Sequence, residues 1–212
     1  MTKPELQHIF ATPLFATRID MPDWDESLYE WKQNKQNRIS LQQNVLDMPE
    51  LELLRRSIDR NLRVFWRDFM TATCEAELKI QQSWVNVTDT GGSHHRHWHT
   101  NSMYSGVVFW CDHSAHIEFI NPRYPQLDFD TATSHESNSA VWRVEPKLGL
   151  MLIFPSYLEH QVDSNSSGGE RVSLSFNTWP QGTLTRDPTR ALSVRSDTEP
   201  QKLTDWRDTN DK

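Results

Sequence analysis

From about residue 78 onward the chain breaks into short apolar or alternating runs, LKIQQSWVNV, SGVVFWC, AHIEFI, SAVWRV, LGLMLIFP and ERVSLSFNTW, separated by clusters of Gly, Pro, Asn, Asp and Ser. Such runs read as strands, because β-branched and aromatic residues fill a pleated surface while the punctuating residues accept turn geometry. Strands in that number with no helix between them leave few solutions: an antiparallel sandwich or a barrel, with any helices packed on one side. The helices are expected earlier. Residues 47–70, DMPELELLRRSIDRNLRVFWRDFM, place Leu51, Leu54, Ile58, Leu62, Phe65 and Phe69 at three- and four-residue steps, with Asp47 as cap and Pro49 in the first turn. That spacing predicts one amphipathic helix facing the core. A shorter helix is expected around Trp24 to Lys35, started by Pro22 and Asp23 and ended by the amide-rich QNKQN.

With 212 residues the chain is long enough for one good core. The expected organisation is a single domain over 1–180, its helical part at about 20–75 and its strand-rich core at about 79–180, followed by a polar tail, 181–212, with Trp206 as an anchor. A net charge of −7 argues against nucleic acid and anionic membranes, which would want a basic face. Cys74 and Cys111 lie far apart with no CxxC spacing, so neither a disulfide framework nor a thiolate zinc site is indicated. No apolar run reaches membrane-spanning length, and MTKPELQHIF has neither the basic nor the apolar region of a signal peptide. The expectation is a soluble, cytoplasmic protein.

HHRHWH, residues 94–99, concentrates four of nine histidines in six positions. Neutral imidazole is a ligand for zinc, iron, copper and nickel, and residues i and i+2 of a strand point the same way, so an HxH pair can grip one ion. The pattern occurs twice in overlap, His95 with His97 and His97 with His99. Periodicity leaves both registers open, and on an extended strand His94 would face away from His97. A second cluster lies downstream. In MLIFPSYLEHQVDSNSSGGERVSLSFN a turn centred near Asn165 and Ser166 would set His160 opposite Arg171 on a hairpin. Arg171 and Ser173, two apart, would share a face, and a guanidinium beside a hydroxyl suits a carboxylate.

SWVNV, Gly91 six positions before His97, HWHTNSMYSGVVFW, the NPR at 121–123, LGLMLIFPSYLEHQV and GERVSLSFN, in this order from about Ser83 to Trp179, resemble the non-haem iron, 2-oxoglutarate-dependent oxygenases, and within them the small oxygenases related to prolyl hydroxylases. The resemblance covers nearly half of the chain. It implies a double-stranded β-helix, a jelly-roll or cupin-like barrel, so the fold class expected is mainly β with N-terminal helices. It further implies Fe(II) and 2-oxoglutarate as cofactors, His97, His99 and His160 as metal ligands, and Arg171 with Ser173 as the clamp for the distal carboxylate. The superfamily usually has HxD or HxE where this chain has HxH. Three neutral ligands leave the bound ion one unit more positive than two histidines and a carboxylate would.

Asn86, on the strand leading to the site together with Trp84, is a candidate for the cosubstrate pocket, and Trp98, Tyr104 and Arg123 are candidates to meet substrate. His8, His113, His116 and His135 have no partner in the pattern and are read as structural. The resemblance implies a dioxygenase that uses O2 and 2-oxoglutarate to hydroxylate a small molecule or a protein side chain such as proline, releasing succinate and CO2. A cupin-like three-histidine metalloenzyme that acts without 2-oxoglutarate is the alternative, though such an enzyme has no evident need for Arg171. A homodimer stays open.

Overall fold

The computed structural model describes residues 10–123, 130–166, 168–185, 187, 189–190 and 192–194. His8, Trp206 and most of the tail expected from 181 lie outside these residues. The spine is the pairing of β4 (Glu77–Thr88) with β11 (Arg171–Thr183), in register from Arg171↔Thr88 to Gln181↔Glu77 apart from one irregularity at Asn177/Thr178. On its other edge β11 pairs with β6 (Tyr104–Phe109), which pairs with β9 (Leu150–Pro155) and then β1 (Phe15–Arg18). Beyond β4 the large sheet continues into β3 (Asn37–Ser40) and β2 (Trp31–Asn34), while β12 (Ser193–Val194) pairs with the end of β11. A smaller sheet has the order β5-β10-β7-β8, formed by His94–His97, His160–Val162, Ile117–Ile120 and Val141–Val144.

From β4 to β11 the chain alternates between large and small sheets except at β7 and β8, which form a hairpin within the small sheet, and all neighbours are antiparallel. That path is the double-stranded β-helix, and the strand-bearing runs read from the sequence fall where expected. Its layers explain their composition. β6 is buried along its whole length because the barrel lumen lies on one face and the helix on the other, whereas β8 buries none of its residues fully. Two apolar clusters result. Leu54, Ile58 and Leu62 of α1 (Glu52–Val64) pack with Val85, Val87, Val108, Met151, Ile153, Leu174 and Phe176 on the outer face of the large sheet. Val107, Phe109, Ile117, Phe119, Leu152, Phe154 and Leu158 fill the space between the sheets.

Three expectations are corrected. The segment Trp24 to Lys35 is not a helix: a short 3-10 turn at Glu26–Leu28, capped by Asp25, leads into the β2–β3 hairpin, whose turn places Lys35 at φ 55°. Its aromatic residues are used tertiarily rather than along a helix face, Trp24 stacking on Tyr29 and packing against Trp31 and Trp110. The long helix has the expected span but not one geometry. Two 3-10 turns precede α1 and a π-helical turn, Phe65–Phe69, follows it. Asp47 pairs with Arg55 instead of capping, and the π turn shifts Phe69 off the stripe so that it is exposed.

The third correction concerns His160 and Arg171, which do not face each other on a hairpin. β10 belongs to the small sheet and β11 to the large one. Asn165 redirects the chain: its backbone exchanges hydrogen bonds with Gly91 (2.7 Å) and Gly92 (2.8 Å), and its amide donates to the Thr88 and Gly169 carbonyls. The intervening segment therefore crosses the barrel instead of reversing beside itself.

Candidate metal centre

β5 and β10 run side by side with His97 directly opposite His160. His99 lies beyond the end of β5, where its backbone N–H donates to the Ser156 carbonyl at 2.9 Å. The three imidazoles converge, with a ligating nitrogen from each within 4.8 Å of the others. Ring centroids stand 4.3 Å apart for His97 and His160, 5.1 Å for His99 and His160, and 5.2 Å for His97 and His99.

The hydrogen bonds fix which nitrogen each ring offers. The Nδ1 atoms of His97, His99 and His160 lie 2.8, 2.8 and 2.9 Å from the His95 carbonyl, Asn177 Oδ1 and the Leu158 carbonyl. Oxygen accepts in all three, so each Nδ1 carries the proton and each Nε2 presents a lone pair. His99 Nε2 and His160 Nε2 are 3.3 Å apart. Two lone pairs at that separation repel unless a cation lies between them. A proton is disfavoured there: burial first, and His97 second, push His99 down to about 4, and burial followed by the charges of His97 and His99 holds His160 well below its ordinary value. His97 is lowered too, chiefly by burial. This donor set fits a divalent transition-metal ion.

Asn177 anchors the site from the large sheet. Its Oδ1 accepts from both His99 and the Ser105 hydroxyl (2.8 Å each), and its amide donates to Gln82 at 3.1 Å. Trp84 stacks on His99 at 5.5 Å. Asn177 does not stand out in the sequence as a supporting residue; its only signal is its position two and four residues beyond Ser175 and Ser173 on one strand face.

Deeper along β11, Arg171 is 2% exposed. Its Nε donates to the Ala115 carbonyl at 3.2 Å, and the guanidinium lies 5.0 Å from the centre of the Phe109 ring. No carboxylate pairs with it among the described residues, and burial lowers it to about 10, so it stays charged. Ser173, also buried, shares this face and pairs with Asn86 across the ladder. Asn86 is committed to the protein at both ends of its amide, donating to Ser175 and accepting from Trp84.

Of the residues expected to meet substrate, Trp98 is 56% exposed between the two ligands. Tyr104 is not near the histidines: it packs on the outer face against Phe65, at 4.9 Å, and Trp66. Arg123 lies over the Phe10 ring and donates to its carbonyl, lining a cavity of about 610 Å³ with Trp142, Ile120 and Asn121. Phe119 and Leu158, which flank His160, form its inner wall. His113 and His135 accept backbone N–H bonds, and His116 faces Asp163.

A double-stranded β-helix with three imidazole nitrogens converging at one point has the layout of a metal centre. Residues 82–177 match the family model described as "Putative 2OG-Fe(II) oxygenase". Among solved structures, HygX from Streptomyces hygroscopicus, with nickel, 2-oxoglutarate and hygromycin B bound, superposes with a TM-score of 0.54 at 12% identity, over 88% of this chain and 93% of that one. An oxidoreductase of the 2OG-Fe(II) oxygenase family from Burkholderia pseudomallei gives 0.51 at 14% identity, over 72% and 73%. At these identities the likeness is one of fold. No curated protein matches the chain significantly.

Proposed function

We propose that the protein is an iron(II)- and 2-oxoglutarate-dependent dioxygenase that hydroxylates a C–H bond, with His97, His99 and His160 holding the metal and Arg171 and Ser173 binding the distal carboxylate of 2-oxoglutarate. Arg171 carries the reading. A buried guanidinium without a carboxylate partner is costly to maintain, and an anionic ligand entering the barrel would offset that cost. A three-histidine enzyme acting without a 2-oxoacid has no use for it.

Iron and 2-oxoglutarate, when bound, supply the oxidising power, one atom of O2 ending in succinate and the other in the hydroxylated product, with CO2 released. The chain's own residues supply geometry. The three Nδ1 hydrogen bonds set ring orientation and leave the Nε2 lone pairs converging. Phe109 and Phe154 exclude water from the space between the sheets. The cavity beside Phe119 and Leu158 is of a size for a small-molecule substrate, and HygX, of like fold, was solved with hygromycin B. A protein side chain such as proline, presented on an exposed loop, is the other substrate that the same mouth would take.

Anaerobic titration of the metal-free protein with iron(II) and then 2-oxoglutarate tests the reading. A saturable, weak visible charge-transfer band is expected, with the half-saturating 2-oxoglutarate concentration raised about ten- to hundredfold in Arg171→Ala. Iron binding without any band in the unaltered protein would overturn it.

A further inference from the structure

β5 carries an irregularity that the HHRHWH motif conceals. His160 pairs with His97, and Val162, two residues on, pairs with His94, three residues back. Two residues of β5, His95 and Arg96, therefore oppose the single Gln161 of β10, which is a β-bulge. The burial of β5 follows it: His94 and His97 are partly buried, while the two residues between them are both exposed. Regular alternation would have sent His94 to the outside with Arg96. The extra residue turns His94 to the face that carries the metal ligands.

The inward imidazole stacks on His97, with centroids 4.4 Å apart and planes 25° from parallel. It lies one ladder step from the His97–His160 pair, towards the segment that ends at Arg171, and feels the charges of both Arg171 and His99. Unlike the three ligands, neither of its ring nitrogens makes a hydrogen bond among the described residues. A polar ring has thus been turned to the face of the ligands and stacked on His97, with no hydrogen bond to either nitrogen among the described residues.

We propose that His94 is a further cosubstrate-binding residue, whose imidazole N–H donates a hydrogen bond to a carboxylate of the 2-oxoacid held between the metal and Arg171. The proposal rests on the oxygenase reading above. It gives the bulge a purpose: β5 supplies a metal ligand and a cosubstrate donor from one face, which regular alternation at this spacing does not permit.

The test uses the full chain loaded with cobalt(II), whose visible spectrum reports the metal independently of turnover, and 2-oxoglutarate binding by calorimetry without O2. His94→Ala is expected to weaken 2-oxoglutarate about tenfold or more, as loss of a hydrogen bond to a charged group does, with cobalt affinity and spectrum unchanged. His94→Gln keeps an N–H donor and is expected to recover most of that loss. Unchanged 2-oxoglutarate affinity in His94→Ala, equal losses in the Ala and Gln variants, or loss of cobalt along with 2-oxoglutarate would each overturn the proposal. If the unaltered protein binds cobalt but no 2-oxoglutarate, the oxygenase reading itself falls.

Discussion

His97 and His160 are cross-strand partners in the small sheet, with ring centroids 4.3 Å apart. One backbone ladder therefore joins ligands that are distant in sequence, so metal binding and the pairing of β5 with β10 reinforce each other. Nickel(II) or cobalt(II) is expected to raise the unfolding free energy by about 2.7 kcal/mol when the free ion stands at roughly a hundred times its Kd. In His160→Ala that gain is expected to vanish. Thermal melts with and without metal make the comparison, and a metal-dependent shift that survives in the variant would remove His160 from the ligand set.

Asn177→Leu removes the acceptor that holds His99 Nδ1–H while keeping the volume of the side chain. Metal affinity is expected to fall about ten- to hundredfold, in the manner of residues that orient a ligating imidazole. Competition against a chromophoric chelator measures it. A loss confined to stability, with metal affinity intact, would mean that His99 is oriented by its backbone alone.

The metal-free protein is expected to be acid-sensitive. His99 is depressed to about 4 from a usual 6.5, with His97 and His160 depressed as well. Between those values the unfolded chain binds protons that the folded chain excludes, so stability is present in full above pH 6.5 and falls as pH drops towards 4. Urea unfolding at about pH 7.5 and about pH 5 should differ by more in the unaltered protein than in His99→Leu.

Gly106 sits opposite Phe176 in the β6–β11 ladder, and a Cβ there would lie 2.1 Å from Phe176 Cζ. Gly106→Ala is expected to destabilise by about 1–3 kcal/mol through overpacking. Adding Phe176→Leu should return part of the loss, because the colliding ring is gone; denaturant midpoints for the single and double variants test the coupling.

The barrel was legible because its strands are short, largely apolar and separated by turn residues, and because β9, buried on both faces, reads as an unbroken apolar run. His97, His99 and His160 were legible as a set through the family resemblance; residue spacing alone left two registers. What escaped depends on contacts that no local pattern carries. The bulge at His95 and Arg96 breaks the alternation on which facing arguments rest, and so hides the orientation of His94. Asn165 sends the chain to the other sheet through bonds to Gly91 and Gly92, more than seventy residues away. Trp24, Tyr29 and Trp31 carry enough apolar weight for a helix, but Trp110 and the β4 edge recruit them into a hairpin.

The large sheet divides labour between its faces. On one side α1 and its apolar stripe form a sealed layer with the outward residues of β4, β6, β9 and β11, while Arg171, Ser173 and Asn177 project from the other. Replacements on the lumen side leave that sealed layer untouched. The residues that dock the helix and those that face the metal centre are thus different, so the polar lumen positions of β11 can be replaced one at a time while the helix stays seated.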